Sequence, residues 1–383
     1  MKLLRLWFAG PMLAALGCGG AGVGATEEAS SSSGAAATVA TNLETTLETT
    51  LETTAATALE TTVAGSESEG VTEGSSGCAP QSAGELMACV DRARYVAELE
   101  FIAAPRTPGS PHWGAVQARC AEVFKEAGFA VELQGYGTGV NVLGVRAGAG
   151  APEERVVVSA HYDHIDSCPG ADDNATGVAG VLELARALAH AELSRTVVLA
   201  CWDEEELGRR GSIAYAAAAS AASEVITAAY VFDMIGYASD EPDTQLFPGP
   251  LAAHFPALAD ALAENDHRGD FIAVVSDETT LGHASELALR AEGLGRTVGV
   301  LTLPDATKFD DAFVTLRASD HASFWEVGAP ALLIFDTGIF RNAAYHCSSG
   351  LDTVERLDHD FTMDVLKATV AAVATSAGFL GPA

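Results

Sequence analysis

The pattern of hydrophobic and polar positions changes near residue 80. From there to the C-terminus, short apolar runs alternate with stretches in which apolar residues recur at helical spacing. Apolar runs of this length are typical of strands that are buried on both faces, as in parallel sheets. We therefore predict an α/β fold over residues 81–383, with a mixed, mostly parallel central sheet and helices on both faces. The clearest predicted strands cover 155–160, 196–202, 228–232 and 330–335.

Helical spacing and turn residues predict the remaining elements. Pro105 ends the first helix, and Pro111 suits the first position of the second. Glycines at 137 and 139 indicate a hairpin between two further strands. The predicted helices cover 85–104, 111–127, 175–190, 211–219, 251–264, 283–292 and 358–376. The further predicted strands cover 130–135, 140–146, 271–275 and 297–302.

Polar side chains follow four of the predicted strands where each strand ends. Because the carboxyl ends of parallel strands meet at one edge of a sheet, we expect these side chains to lie close together. Imidazoles and carboxylates are the usual zinc ligands, and two histidines with three carboxylates suffice for two ions that share one carboxylate. The candidates are His161, Asp163, the loop 172–174, the acidic run 203–206, Asp233 and the pair at 345–346.

Alternatives stay open at this level. Taken alone, the stretch around His161 also fits a polar surface loop with an exposed histidine. The acidic run 203–206 does not show by itself which carboxylate binds metal and which acts on the substrate. Either Asp172 or Asp173 could be the carboxylate that two ions share. The recurrence of the same design at several strand ends favours a metal site.

Short motifs occur in a fixed order behind the predicted strands. They are H-Y-D at 161–163, G-A-D-D-N-A-T-G at 170–177, E-E-L-G-R-R-G-S at 205–212, F-D-M at 232–234, S-D-H-A-S-F at 319–324 and Y-H at 345–346. In these motifs the chain resembles the M28 zinc aminopeptidases, the co-catalytic dizinc exopeptidases of bacteria and their relatives. The resemblance covers residues 85–375. It implies a zinc metallopeptidase with a zinc-exopeptidase-like fold in a single catalytic domain.

The resemblance implies two Zn²⁺ ions and a role for each ligand. In the family pattern the bridging aspartate directly precedes an Asn-like position, which selects Asp173, and the Asp173–Asn174 peptide bond is expected to be cis. Each ion then has three protein ligands and an open position for water. The implied ligands are His161 and Asp233 at one ion, Glu206 and His346 at the other, and Asp173 at both.

The resemblance also implies residues that act on the substrate. Glu205 is the expected general base, because the L-G-x-x-G-S that follows fixes the register of the acidic run. Asp163 is expected to accept the second N–H of His161 and so to orient that ring. Tyr345 is expected to donate its hydroxyl to the developing oxyanion, with structural packing as the alternative. We expect Asp203 and Glu204 in a solvated loop, and Ser319, Asp320 and His321 outside the ligand set.

One departure from the family pattern lies beside the last histidine. Members of the family usually place an Asp-Thr pair four residues after that histidine, whereas Asp352 follows His346 by six. An insertion beside a metal ligand is expected to reshape the specificity pocket. It therefore bears on the substrate class more than on metal binding.

Composition narrows the class of partner. The 383 residues carry a formal net charge of −31, with only 21 Lys and Arg. Phosphate binding needs a basic face, so this balance argues against nucleic acid. The acidity is compatible with an exported protein that stays soluble. We expect a monomer that acts on peptide substrates.

The segment before the predicted domain has a different character. Residues 1–18 combine a positive start with a short apolar run and end at Cys18, which predicts a lipoprotein-type signal peptide with a lipid on Cys18; an ordinary secretory peptide is the alternative. Residues 19–80 are rich in Ala, Gly, Ser, Thr and Glu, with repeated L-E-T-T, and are predicted to be a disordered acidic linker. The expected location is an exported lipoprotein anchored to a membrane, in the periplasm or at the cell surface, or else a secreted protein.

Six cysteines follow the signal segment, and sequence alone does not fix their pairing. Cys78 and Cys89 flank the start of the domain and are candidates for a bridge there. Cys168 and Cys347 lie in loops next to implied ligands, so we hypothesise a bridge between them. Cys201 lies inside a predicted strand and is expected to be a buried free thiol.

The leading hypothesis is an exported, metal-dependent exopeptidase that removes N-terminal residues from peptides, with a metal-bridged water and Glu205 as general base. A related hydrolase of other specificity, such as a carboxypeptidase-like enzyme, and a glutaminyl cyclase are the enzyme alternatives; cyclases of this type use one zinc. An inactive binding module at the cell surface is the non-enzyme alternative. Such a module would have lost a ligand or the base, and all six positions are present.

Overall fold

A computed structural model describes residues 78–383 of the chain. The predicted signal peptide, the lipid on Cys18 and nearly all of the predicted linker lie outside the described residues. Within the described residues, no helix is both long and apolar enough to cross a membrane.

The strands of the described residues form one large sheet and one small sheet. They are β1 (Ala130–Tyr136), β2 (Gly139–Arg146), β3 (Ala151–His161), β4 (Ala191–Leu193), β5 (Arg195–Trp202), β6 (Val225–Phe232), β7 (Ile272–Asp277), β8 (Val298–Leu303), β9 (Ala331–Phe335) and β10 (Phe379–Pro382). The large sheet has the order β1-β2-β5-β3-β6-β9-β7-β8, and β4 pairs with β10. The four central neighbours β5, β3, β6 and β9 run parallel, whereas β1, β2 and β7 make antiparallel pairs toward the edges.

The helices cover both faces of the large sheet. They are α1 (Arg92–Ile102), α2 (Pro111–Glu126), α3 (Gly177–Leu188), α4 (Arg210–Ala221), α5 (Gly249–His254), α6 (Pro256–Glu264), α7 (Leu281–Glu292), α8 (His321–Glu326) and α9 (His359–Ala377). One apolar core joins the sheet to α1, α2, α3, α7 and α9, and a second core on the opposite face joins it to α4, α5 and α8. The predicted fold class, a mixed and mostly parallel sheet with helices on both faces, is confirmed.

Two predicted elements differ in detail, and one pair of strands was not predicted. The first predicted helix is two pieces, a 3-10 helix at Ala83–Cys89 and then α1, because Asp91 caps α1 by accepting the backbone N–H of Arg94 at 2.8 Å. The predicted helix 251–264 is divided at Pro256, which has no N–H to continue the first piece. The short pair β4 and β10 was not predicted, because its strands meet only through the fold.

The parallel centre of the sheet creates the candidate site. Because β3, β5, β6 and β9 run in the same direction, their carboxyl ends lie along one edge. His161 is the last residue of β3, and Asp203 and Asp233 directly follow β5 and β6. The loops that follow these four adjacent strands therefore bring their polar side chains to the same edge of the sheet.

Candidate metal centre

His161 is fixed at the end of β3 by its own following turn. Its Nδ1 lies 3.3 Å from the backbone carbonyl of Asp163 and 3.6 Å from the Asp163 carboxylate. The carboxylate instead accepts the backbone N–H groups of Glu205 at 2.9 Å and of Glu206 at 3.3 Å. Asp163 thus joins the β3 loop to the Glu205 loop, and the nearer acceptor for the His161 ring is a main-chain carbonyl.

The loop that carries Asp173 is held from two sides. The Asp173–Asn174 peptide bond is cis, as the family resemblance implied. The Asn174 side chain donates to the carbonyl of Phe232 at 2.9 Å and accepts the N–H of Met234 at 3.2 Å, which binds the loop to the end of β6. On the other side, Asp352 Oδ2 accepts the backbone N–H of Asp173 at 3.1 Å.

This contact accounts for the longer spacing after His346. The two extra positions fall within residues 348–351, which form an exposed turn, and Asp352 returns to the interior. Its carboxylate accepts the N–H of Asp172 at 2.9 Å as well as that of Asp173. The insertion is therefore accommodated at the surface, while Asp352 still supports the Asp173 loop.

A fully buried arginine that the sequence analysis did not single out also supports the loop that carries Asp173. Arg106 donates to the carbonyls of Tyr162 at 3.0 Å, Pro169 at 2.6 Å, Gly170 at 2.8 Å and Asp173 at 3.1 Å. Burial lowers the pKa of Arg106 to about 10, against the opposing effect of nearby carboxylates, so the guanidinium stays charged near neutral pH. It lies in the turn between α1 and α2.

The acidic run after β5 is a buried structure rather than a solvated loop. Asp203 is fully buried and accepts the indole N–H of Trp113 at 2.8 Å and the N–H of Val140 at 2.9 Å. Glu204 is also buried. The expectation of solvated side chains was wrong for both residues. Asp203 receives donors from β2 and α2, and Glu204 accepts the hydroxyl of Thr138, all of them far away in sequence. Glu205 and Glu206 then point into the cleft beside His161.

His346 is presented by a short 3-10 turn, Tyr345–Cys347, with His346 itself at a positive φ of 53°. The Tyr345 ring stacks on the imidazole, with centroids 3.9 Å apart. A disulfide joins Cys168 to Cys347 and so connects this turn to the loop after β3. The hypothesised pairing is present, and it constrains the residue next to a candidate ligand.

The other two disulfides test the remaining cysteine predictions. Cys78 pairs with Cys89, as the sequence suggested. Cys201 pairs with Cys120, so its expected free thiol was wrong. The two Cα atoms are 6.7 Å apart because α2 packs across β5, a contact that the strand pattern around Cys201 does not reveal.

The first donor set has the spacing of ligands around one ion. His161 Nε2 lies 3.4 Å from Asp173 Oδ1 and 3.5 Å from Asp233 Oδ1. Ligands bound at 2.0–2.1 Å in a tetrahedron are separated by about 3.3 Å, which is longer than a good hydrogen bond. The three side chains therefore fit a zinc ion.

The second donor set uses the other oxygen of the same aspartate. His346 Nε2 lies 3.3 Å from Asp173 Oδ2 and 3.1 Å from Glu206 Oε2. Asp173 thus faces one imidazole with each of its oxygens. This is the arrangement in which one carboxylate bridges two ions. The five residues implied as ligands all lie within this cluster.

The electrostatics of the cluster favour a bound cation. Burial alone would lower the pKa of His346, but the carboxylates of Asp173 and Glu206 raise it to about 10. Burial would raise the pKa of Asp173, yet the surrounding histidines hold it well below its usual value. The same cleft also holds the carboxylates of Glu205 and Asp233, and a divalent ion would balance this negative charge.

A further histidine enters the cluster that was not assigned in the sequence analysis. His164 is fully buried, and its Nδ1 lies 2.8 Å from Glu206 Oε1. With Asp173 and Glu206 it forms a second group of donors whose atoms all lie within 4.8 Å of one another. Its position directly after the H-Y-D motif was the available signal.

The cleft above the donor sets has an apolar wall. The wall is formed by side chains of Met234, Leu333, Phe335, Ile339 and Phe340. Beyond it lies an apolar cavity of about 480 Å³ between the sheet and the helices α5 and α6, which shares Phe335, Thr337 and Phe340 with the cleft. One side of the site is thus acidic and the other receives apolar groups.

The sheet and the donor sets at its carboxyl edge are those of a zinc metallopeptidase, the enzyme class predicted from the sequence. The model of peptidase family M28 matches residues 141–374. The chain belongs to this family, and the predicted family is confirmed.

Two relatives are similar to the chain over more than half of its length. The chain is 31% identical to YfbL of Escherichia coli (strain K12) over 236 residues, which cover 58% of this chain and 67% of YfbL. It is 26% identical over 299 residues to a "Probable zinc metalloprotease" of Pyrenophora tritici-repentis (strain Pt-1C-BFP), covering 68% of this chain and 58% of that protein. The chain thus spans about two thirds of the length of YfbL and about three fifths of that of the Pyrenophora protein.

Solved structures are similar in fold. LapB from Legionella pneumophila has a TM-score of 0.60 at 19% identity, over 76% of this chain and 73% of LapB. The aminopeptidase from Aneurinibacillus sp. strain AM-1 has a TM-score of 0.59 at 14% identity, over 78% and 97%. Fimbriiglobus ruber glutaminyl cyclase has a TM-score of 0.53 at 19% identity, over 74% and 95%. At these identities the likeness concerns the fold alone.

Proposed function

We propose that the chain is a dizinc aminopeptidase that removes residues from the amino terminus of peptides. The observation that carries this proposal is Asp173, whose two oxygens lie 3.4 Å from His161 Nε2 and 3.3 Å from His346 Nε2. A single carboxylate facing two donor sets supports two ions that share it. Membership of family M28 supports the same reading.

In this proposal the donor sets hold the ions and the neighbouring residues act on the peptide. If zinc is held by these residues, it would supply the chemistry that lowers the pKa of a bound water and polarises the scissile carbonyl. His161, Asp173 and Asp233 would hold one ion, and Asp173, Glu206 and His346 would hold the other. Asp163 keeps Glu205 and Glu206 in place through their backbone N–H groups.

Glu205 is the proposed general base. It lines the cleft beside both donor sets. Burial raises its pKa well above the usual value; His161 opposes this effect, and the nearby carboxylates of Asp320 and Asp233 add to it. A carboxylate with a raised pKa can take a proton from the attacking water and pass it to the leaving amine.

Tyr345 is the proposed oxyanion donor. Its ring is fixed by stacking on His346, and it lines the same cleft as Glu205. Burial raises the pKa of its phenol well above the usual value, so the hydroxyl keeps its proton for donation.

The cleft supports a peptide with an apolar first residue. The protonated amino terminus would lie on the acidic side, where carboxylates are concentrated. The first side chain would lie against Phe335 and Phe340, which separate the cleft from the larger cavity. We therefore propose leucine-like or aromatic residues over charged ones at this position.

Hydrolysis of aminoacyl-nitroanilides by zinc-loaded protein tests the proposal. We expect release of nitroaniline from leucyl and phenylalanyl substrates, weaker release from glutamyl substrates, and no release from amino-blocked ones. Cleavage of carboxy-terminal residues would indicate a carboxypeptidase-like enzyme instead. Conversion of amino-terminal glutamine to pyroglutamate with one zinc per chain would indicate a cyclase.

We further propose that the enzyme is exported, carries a lipid on Cys18 and acts as a monomer. The support is the sequence of residues 1–18 and the acidic composition. Metabolic labelling with a lipid analogue tests the anchor, and Cys18→Ala should abolish the label. An unlabelled wild-type chain in the culture medium would instead support an ordinary secretory peptide.

A further inference from the structure

We propose that His164 is an additional protein ligand of the ion held by Glu206 and His346. This inference rests on the proposed metal centre and extends it by one residue. None of the motif positions assigned from the family resemblance includes His164. The geometry that points to it concerns its burial, its unpaired nitrogens and its distance to Glu206.

The His164 ring is buried without a hydrogen-bonding partner. The residue is 0% exposed, and among the described residues neither Nδ1 nor Nε2 makes a hydrogen bond. A buried imidazole without a partner loses its hydration with nothing in exchange. A metal ion bound at Nδ1 would provide the missing interaction.

The contact with Glu206 is close but not aligned as a hydrogen bond. Nδ1 lies 2.8 Å from Glu206 Oε1 and 4.0 Å from Asp173 Oδ1, yet neither nitrogen has hydrogen-bond geometry. Two ligand atoms on one ion lie close together without pointing at each other, because both lone pairs point at the ion. Atoms 2.8 Å apart and each 2.0–2.1 Å from an ion subtend about 86° at it, so this pair would be closer together than the tetrahedral pairs of the implied ligands. The same Glu206 offers its other oxygen to His346 at 3.1 Å. The Glu206 carboxylate thus lies between two imidazoles.

The chain makes room for the ring with a glycine. A Cβ at Gly170 would lie 2.5 Å from Cδ2 of His164 and 2.3 Å from the carbonyl oxygen of Asp173. Gly170 also has a φ of 58°, which disfavours other residues. The His164 ring is therefore confined between Gly170 and Glu206, and its Nδ1 edge is turned toward the donor set.

This ligand would make the two ions unequal. The site of His161 has one imidazole and two carboxylates, whereas the site of Glu206 would have two imidazoles and two carboxylates. Imidazole nitrogen is a strong zinc ligand, so the second ion should dissociate more slowly. Stepwise removal of metal with a chelator should then show two phases, the slower of which depends on His164.

Two substitutions separate a ligand from a residue that only positions Glu206. His164→Ala removes all function of the ring. His164→Asn leaves an amide near the place of Nδ1, which can hydrogen-bond to Glu206 but is a poor zinc ligand. His283→Asn is the control, because His283 is a partly buried histidine that bonds Ser376 at 2.8 Å, between α7 and α9. Circular dichroism and thermal unfolding establish that each variant is folded.

Zinc per chain is measured by mass spectrometry after dialysis against graded chelator, with the absorption spectrum of the Co²⁺ form as a second readout. In both His164 variants, the ion held by Glu206 and His346 should be lost at a free-zinc concentration at least about 100-fold higher than in the wild type. This exceeds the 10–100-fold effect of residues that only support the ligands. Their Co²⁺ spectra should also change, while His283→Asn matches the wild type. An Asn variant that keeps both ions and the wild-type spectrum would overturn the inference. A wild type that binds no metal would instead refute the proposed function.

Discussion

Replacing Arg106 by methionine should weaken both the fold and the metal centre. The methionine keeps an apolar stem of similar length and removes the guanidinium. In the wild type this group donates to four carbonyls of the loops that present His161 and Asp173. No solvent reaches this position, because Arg106 is fully buried.

The expected size follows from these contacts. Each of the four carbonyls loses a buried donor, at a net cost of about 1 kcal/mol per hydrogen bond. Removal of a buried cation returns part of this cost, because its desolvation is no longer needed. We expect the free energy of unfolding to fall by about 3 kcal/mol. The loop can then move, so zinc affinity should also fall, by about 10–100-fold as for other residues that support ligands.

Urea unfolding of the metal-free protein measures the first effect, and competition with a chelator measures the second. Arg146→Met is the matched control, because Arg146 also donates to two carbonyls, those of Leu188 and Ala191, but lies away from the ligand loops. It should lower stability and leave zinc affinity unchanged. If Arg106→Met kept the zinc affinity of the wild type, the role assigned to Arg106 would be refuted.

Three further predictions concern catalysis, the disulfide and pH. Glu205→Gln should keep both ions and reduce kcat by about 10²–10⁴-fold, because only proton transfer is lost; an unchanged rate would remove Glu205 from the mechanism. The double variant Cys168→Ser, Cys347→Ser should lose about 3 kcal/mol of stability and bind the second ion more weakly, as measured by unfolding and by chelator titration. Unchanged binding of the second ion would contradict a role of the bridge in positioning His346. Lys308→Met should lose about 3 kcal/mol near neutral pH, because it leaves the buried Asp277 carboxylate without the ammonium that lies 2.6 Å away. Burial alone would raise the pKa of Asp277 and lower that of Lys308. The attraction between the two charges outweighs burial, so it lowers the pKa of Asp277 and raises that of Lys308. The pair therefore stabilises the fold between about pH 4 and pH 10. The difference between wild type and variant should shrink as the pH falls through the lowered pKa of Asp277, and a difference independent of pH would contradict this reading.

The order of strands and ligands was readable from the sequence because both are local signals. An apolar run followed by His161 or Asp233 predicts a strand and the polar residue at its carboxyl end. The parallel direction of neighbouring strands then brings these residues together without further information. The choice of Asp173 over Asp172 as the bridging carboxylate needed the family resemblance, because both residues lie in the same loop.

The supporting residues were not predictable, because their partners are distant in sequence. Arg106 contacts carbonyls more than fifty residues away, and nothing around it in the chain indicates this. Cys120 and Cys201 are separated by 81 residues, and their pairing depends on how α2 crosses β5. Asp203 appeared solvated because charged runs usually are, whereas its acceptors are satisfied by Trp113 and Val140.

The number of zinc ions per chain in the wild type and in Asp173→Ala tests the central claim most directly. Asp173 lies within 3.4 Å of both histidine donors, so its loss should remove both ions at a chelator concentration that leaves two in the wild type. Native mass spectrometry would show this as a change from two ions to none. A variant that firmly keeps one ion, or a wild type that holds only one, would contradict a shared carboxylate between two metals.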